Sequence, residues 1–330
     1  MTNINRRTLL AGAAATTALA ATAAVSADDI IEVEPDMRGK SVLITGCSTG
    51  FGRLAAEDYA RKGAKVFATM RNLPRPEAAE LTALAETEGL DLHVIEIDVL
   101  SDEQVKAGVA KAMEISGGTI DVLINNAGIS YGGPVEIQDM EATVHTFDTN
   151  VFGPQRMIRA CLPAMREAKS GLIINVSSQL GRVIVPAYGQ YSPSKFALEA
   201  LSEALAYELV PHGIEVTVIQ PGGYPTMIWK NANENSLALL GRADDKHTNG
   251  YTALIERLGQ RTGGGTTDPM DVPRAMAEVI AMPAGTRPLR RAVHPGNKPQ
   301  LAINEVSAKT QVEWLGGSAF GPWINAVHNV

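Results

Sequence analysis

A glycine-rich turn between an apolar run and a helical pattern constrains this chain more than any other feature. Thr45-Gly46-Cys47-Ser48-Thr49-Gly50-Phe51-Gly52 follows the apolar run 41–45 and opens the helical pattern 53–62. In a turn of this kind the first glycine, Gly46, permits the sharp reversal. The second, Gly50, lets backbone approach a pyrophosphate, and the third, Gly52, permits close packing of helix on strand. The helix N-terminus then offers free N–H groups to an anion. Three glycines alone also fit an ordinary turn, so the surroundings decide.

From Lys40 onward, β-rich apolar runs alternate with helical patterns, as in βαβ units built on a parallel sheet. The runs are 41–45, 65–70, 92–97, 122–125, 172–176 and 215–219, with a last one near 289–293. Helical periodicity covers 53–62, 77–88, 102–114, 137–169 with a break, 191–210 and 271–281. The expected class is α/β: a doubly wound, mostly parallel sheet of about seven strands, apolar on both faces and covered by helices on both. Residues 223–268 fit no strand–helix alternation and read as a substrate lid, because long loops in compact domains usually bind or cover something. The domain is expected over 40–296, and 297–330 form an extension whose Trp314, Phe320 and Trp323 should pack on this domain or a neighbour.

The first 27 residues read as a leader. Arg6-Arg7 precedes an uncharged Ala/Thr-rich stretch that ends in the small residues Val25-Ser26-Ala27. The pair followed by Thr8-Leu9-Leu10 resembles a twin-arginine export signal, which implies a periplasmic or exported protein. The alternatives are an uncleaved membrane anchor and an Ala-rich cytoplasmic tail. Residues 28–39, with Asp28, Asp29, Glu32 and Glu34, read as a solvated acidic spacer. The formal charge of −7 becomes −9 without Arg6 and Arg7, which disfavours nucleic acid as a partner. Two cysteines exclude a disulfide scaffold and a CxxC-type zinc site, and the six histidines show no metal-ligand spacing.

Further motifs follow in order. Asn125-Asn126-Ala127-Gly128 ends the fourth run, and Asn150 stands 24 residues after Asn126. Ser178 lies 13 residues before Tyr191, which opens Tyr191-Ser192-Pro193-Ser194-Lys195. Pro221-Gly222 with Thr226 follows the sixth run. Together these resemble the TGxxxGxG, NNAG, YxxxK and PGxxxT signatures of the short-chain dehydrogenases/reductases, a family with a Rossmann fold that binds a nicotinamide dinucleotide. The TGCS start of the glycine turn, with Ala68-Thr69-Met70-Arg71-Asn72, looks most like that family's steroid- and retinol-type reductases.

The residues themselves suit hydride transfer to a carbonyl. Tyr191 is the candidate general acid, and the base in the reverse direction. For a phenol of ordinary pKa about 10 to act as a base near neutrality takes about 4 kcal/mol. A cation about 4 Å away supplies that much at an effective dielectric of about 20. Lys195, one helical turn on, shares the face of Tyr191 and is that cation. Ser178 would hydrogen-bond the substrate oxygen as charge develops. Each residue also has a plain reading: a surface Tyr–Lys pair, a strand-end cap, and a buried polar asparagine. The resemblance implies more: Lys195 also bonds the nicotinamide ribose, and Asn150 holds a water that joins Lys195 to solvent. It also places Gly46, Ser48, Thr49, Gly50, Phe51, Gly52, Asn126, Ala127, Gly128, Pro221, Gly222 and Thr226 around the cofactor.

Where NAD-preferring sites carry an acid after the second strand, this chain has Met70 and Arg71. A guanidinium suits a 2′-phosphate through bidentate, charge-assisted bonds, so the expected cofactor is NADP rather than NAD. The plain alternative is that Arg71 decorates a loop. Asp98, with Val99 beside it, resembles the family's contact to adenine; otherwise Asp98 caps the following helix. Substrate walls are expected from 129–135, 179–188 and the lid, whose Tyr224, Met227, Ile228, Trp229, Leu237, Leu239 and Leu240 suit an apolar carbonyl or alcohol or, equally, the lid's own packing. No acidic or basic cluster there calls for a charged substrate. Family members often form homo-oligomers through the helices that hold Asn150 and Tyr191. Two other functions compete: an epimerase or dehydratase of the family, disfavoured by the glycine spacing, and a non-catalytic NADP-binding sensor, which has no need of Tyr191.

Overall fold

The computed structural model describes residues 35–330; the expected leader, 1–27, and spacer residues 28–34 lie outside the described residues. Seven parallel strands form one sheet in the order 3-2-1-4-5-6-7. They are β1 (Ser41–Ile44), β2 (Lys65–Met70), β3 (Leu92–Glu96), β4 (Val122–Asn125), β5 (Gly171–Val176), β6 (Ile214–Pro221) and β7 (Arg290–Val293). Parallel neighbours need long crossovers, and helices provide them. These are α1 (Gly50–Arg61), α2 (Pro76–Glu88), α3 (Asp102–Ser116), α4 (Met140–Phe147), α5 (Gly153–Ala168), α6 (Tyr191–Leu209), α7 (Ile228–Arg242) and α8 (Asp271–Ala281). After β7 come α9 (Gln300–Leu315) and α10 (Gly321–His328).

Alternation along the strands creates two cores. Val42, Ile44, Val66 and Ile124 face one side, where Tyr59 of α1 and Val272 and Met276 of α8 cover them. Leu43, Phe67, Leu123 and Ile173 face the other, under Val109 of α3 and Met157 of α5. The two cysteines divide between these layers, Cys47 in the first and Cys161 in the second. Both are free, and burial pushes each thiol up to about 12.

Two segments differ from the sequence expectation, and a third follows it except for an exposed aromatic. Met37, assigned to the solvated spacer, is fully buried in the first core, and its N–H donates to the Lys62 carbonyl. The lid contains a regular helix, α7, with Ala232, Ser236 and Leu239 turned inward. Asn231, Asn233 and Asn235 lower its helix propensity and hid it from the periodicity. The extension packs on its own domain: Ile324 of α10 is buried and Val327 joins the second core, while Trp314 stays 74% exposed. Among the described residues no helix is long and apolar enough to cross a membrane.

A buried ion-pair network ties the last strand and the extension to α6. Arg290 of β7, 6% exposed, donates to Glu199 (2.8 Å), itself 2% exposed, and to Glu203 (2.5 Å), both on α6. Gln220 of β6 donates to the other Glu199 oxygen (2.9 Å) and accepts from Asn304 of α9 (2.7 Å). Burial pushes the Glu203 carboxyl up, but Arg290 and the Tyr207 hydroxyl outweigh it and hold the group below its ordinary value. His328 of α10 completes the chain by a 2.8 Å hydrogen bond with Tyr207. Arg290→Met strands two buried carboxylates without their cation and should cost about 3–5 kcal/mol of unfolding free energy. Urea denaturation checks this; a loss below about 1 kcal/mol, the range of exposed pairs, would show that the network is effectively solvated.

Candidate active site

Between β1 and β4 the strand order reverses, so the loops leaving these strands part and open a crevice at their carboxyl ends. A cavity of about 570 Å³ lies along it. Gly46 adopts φ +73°, and a Cβ there would stand 2.9 Å from the Ala127 Cα, so only glycine lets the β1 and β4 loops meet. A Cβ on Gly52 would lie 2.5 Å from both the Gly46 carbonyl and the Asn126 amide. This third glycine therefore packs α1 against the loops rather than against a strand.

Hydrogen bonds knit the two loops together. The Thr45 hydroxyl oxygen accepts from the N–H groups of Asn126 and Ala127, each at 3.0 Å. The Asn126 side-chain amide donates to the Thr45 carbonyl (2.9 Å) and the Gly46 carbonyl (3.2 Å). Behind them, Asn125 donates to Asn175 (2.8 Å), which donates to Ser202 of α6 (2.8 Å). The glycine turn, the β4 loop and α6 thus share one buried polar scaffold.

The α4–α5 break falls at Asp148–Phe152, a π-helical turn in which Gly153 N–H reaches back to the Asp148 carbonyl. Such insertions re-aim a side chain within a helix. Here the turn points Asn150 inward, fully buried. Its carboxamide oxygen accepts from Ile129 N–H (2.9 Å), and its amide donates to the Ile129 carbonyl (2.9 Å) and the Ser194 hydroxyl (3.0 Å). Asn150 therefore pins the β4 loop to the first turn of α6.

Tyr191 and Lys195 face the crevice from that first turn, and Ser178 faces it from the end of β5. Burial raises the Tyr191 phenol above its ordinary value, and the Ser178 hydroxyl acts in the opposite direction. The Lys195 ammonium donates to the Val176 carbonyl (2.9 Å) and lies 5.8 Å from the centre of the Tyr191 ring. Burial lowers the ammonium to about 8, with Glu199, one turn on, opposing. The depression of Tyr191 expected from Lys195 is therefore not realised in the protein alone. Burial dominates the phenol, opposed only by the Ser178 hydroxyl, and the ammonium is turned to a carbonyl.

The cavity wall brings together Ser178, Tyr191 and Lys195 with Gly46, Ser48, Thr49, Gly50, Phe51, Arg71, Asp98, Val99, Asn126, Ala127, Gly128, Pro221, Gly222 and Thr226. Gly52 and Asn150 do not line it; they hold the wall from behind. Asp98 is not the cap of α3. Ser101 is, accepting from Gln104 N–H (3.2 Å), while Asp98 accepts from Leu100 N–H (3.0 Å) within the loop. Sequence reasoning missed Glu199, although a carboxylate four residues after Lys195 signals the same helix face. It also missed Arg261, which lines the cavity from the lid. No local pattern marks it.

Comparison with known proteins agrees with this geometry. The family model "short chain dehydrogenase" matches residues 40–237. The uncharacterized oxidoreductase YusZ of Bacillus subtilis is 39% identical over 236 residues, covering 72% of this chain and 82% of that protein. Retinol dehydrogenase 8 of Bos taurus is 34% identical over 277 residues, covering 80% and 84%. A short-chain dehydrogenase/reductase from Burkholderia phymatum, solved in complex with NAD, superposes with a TM-score of 0.69 at 25% identity, covering 85% of this chain and 96% of that one. With its seven-stranded doubly wound sheet and the matched family model, this chain belongs to the short-chain dehydrogenases and is an oxidoreductase of that family.

Proposed function

We propose that the protein moves a hydride between the nicotinamide of NADP(H) and a carbonyl or secondary alcohol, with Tyr191 as general acid in reduction and general base in oxidation. The observation that carries this reading is the meeting of Ser178, Tyr191 and Lys195 with the glycine turn in one cavity. Several features fit a dinucleotide. The N-cap of α1, Thr49, makes no side-chain capping bond, and no acidic residue occupies the first turn, so its N–H groups suit a phosphate. Lys195 is buried with a single hydrogen-bond partner, the Val176 carbonyl, which suits it to ribose hydroxyls. Arg71 is exposed at the cavity and forms no ion pair among the described residues, whereas Arg75 beside it is paired with Glu77.

When bound, the nicotinamide supplies or accepts the hydride. The protein handles the proton. A phenol raised by burial stays protonated near neutrality, as a general acid toward a carbonyl oxygen requires. The Ser178 oxygen accepts from Leu180 N–H (3.1 Å), so its own hydrogen is available to the same substrate oxygen. Asn150 acts on this chemistry by fixing Ile129 and Ser194, and through Ser194 the start of α6.

Tyr191→Phe should lower kcat by about 10²–10⁴-fold while cofactor binding is retained; near-normal reduction of a ketone panel with NADPH would remove Tyr191 from the proton step. Arg71→Ala should weaken NADPH by about 10–100-fold, the range of a charged hydrogen bond, and leave NADH nearly unchanged. Fluorescence titration with both nucleotides checks this, and equal losses would deny Arg71 the 2′-phosphate. Lys195 stands at about 8 in the folded protein against 10.5 as its ordinary value. Between these values the unfolded chain binds more protons, so this group makes stability rise with pH across that window. The stability difference between wild type and Lys195→Met should therefore grow in favour of wild type from pH 8 to pH 10.5. Parallel pH profiles in urea unfolding would contradict it.

A further inference from the structure

Arg261 has no role in the proton chemistry, yet its placement is specific. Asn233 of α7 clamps its backbone at both groups: the side-chain amide donates to the Arg261 carbonyl (2.9 Å), and the side-chain oxygen accepts from Arg261 N–H (3.1 Å). So held, the side chain reaches back to the loop before the catalytic tyrosine. The guanidinium carbon lies 4.3 Å from the centre of the Tyr188 ring, and one nitrogen donates to the Ala187 carbonyl. It also sits against Gly132, where a Cβ would come within 2.7 Å of it. Tyr188 is three residues from Tyr191, so Arg261 belongs to the end of the cavity where the substrate reacts.

This cation is unbalanced. Among the described residues no Asp or Glu forms an ion pair with Arg261, whereas Arg242 and Arg274, which flank the same lid, pair with Asp139 and Asp268. Burial pulls the guanidinium below its ordinary value, and only Tyr188 opposes. A guanidinium has five donors, of which the described residues engage one. The cavity that Arg261 lines also carries the apolar and aromatic Leu180, Val185, Ile228 and Trp229, and no Asp or Glu among its lining residues except Asp98, on the cofactor side. A half-buried cation without a counter-charge loses part of its hydration, and an anion on the ligand offsets that cost through charge-assisted, bidentate bonds.

We propose that Arg261 binds a carboxylate carried by the substrate, so that the protein acts on an amphipathic oxo- or hydroxy-acid: an apolar body, a reacting carbonyl or carbinol at Tyr191 and Ser178, and an anionic end on the lid. This rests on the oxidoreductase reading above, and it narrows the apolar substrate class inferred from the lid's side chains.

The test separates binding from turnover in the full chain loaded with NADP. By calorimetry, octanoate should bind at least about tenfold more tightly than octanamide, the scale of one charge-assisted contact. Arg261→Gln should bring that ratio to about 1, and Arg261→Lys, which keeps the charge but loses the planar fork, should retain part of it. Arg257→Ala, an exposed arginine of the same lid, should retain all of it. In turnover with NADPH, medium-chain oxo acids should exceed their methyl esters in kcat/KM by the same factor. No preference for the anion in wild type, or a preference that survives Arg261→Gln, overturns the proposal. Anion preference in binding with no turnover of acid or ester upholds the Arg261 subsite and counts against the carbonyl chemistry proposed above. Equal turnover of acid and ester with no binding preference does the reverse.

Discussion

The contact between Gly46 and Ala127 is the constraint from which the rest of the site follows. Where the sheet order reverses, the chains leaving β1 and β4 turn to opposite faces, and a crevice opens between them. If the two loops stood further apart, the crevice would be a gap with no floor. Main chain against main chain, with no Cβ between, closes that floor, and Thr45 and Asn126 lock it with four hydrogen bonds. The helix that begins at Gly50 then aims its N-terminus across the crevice, and α6 stands opposite.

The helix α6, which carries Tyr191 and Lys195, is itself supported by polar groups rather than by apolar packing alone. Along α6, Ser194, Lys195, Glu199 and Ser202 are all buried. Their partners lie on three other elements: the π-helical turn for Ser194, β5 for Lys195 and Ser202, and β7 for Glu199. Buried polar partners are directional and tolerate little displacement, because a broken bond leaves a desolvated group unpaired. Apolar packing alone would let the helix slide or rotate by small amounts at little cost. With four directional contacts spread over its first three turns, α6 holds the phenol of Tyr191 and the ammonium of Lys195 in fixed positions relative to the sheet.

Much of this was readable along the chain. The strands β2 and β4 fall where their apolar runs lie, because parallel strands buried on both faces leave an uninterrupted apolar signature. The glycine turn, Asn126, Ser178, Tyr191 and Lys195 were legible because their chemistry requires particular residue types at fixed spacing. What escaped depends on contacts distant in sequence. Met37 is a lone apolar residue among charges, and only its neighbours in the fold bury it. The helix α7 was hidden by its asparagines, one of which clamps Arg261. Arg290 meets Glu199 across 91 residues, a pairing that no local period encodes. The burial that raises the Tyr191 phenol in the protein alone escaped for a related reason. Counting charges along a helix captures the attraction to Lys195 but not the desolvation imposed by the surrounding elements.

The two cysteines carry a consequence for where such a fold can exist. The sheet itself stands between Cys47 and Cys161, so no disulfide can join them without taking the domain apart. Burial holds both thiols well above their ordinary value, so the reactive thiolate is strongly disfavoured at neutral pH. Neither cysteine therefore offers a thiol to the surroundings while the protein is folded. The described fold draws no stability from a disulfide, so its cysteines tie it neither to an oxidising nor to a reducing compartment.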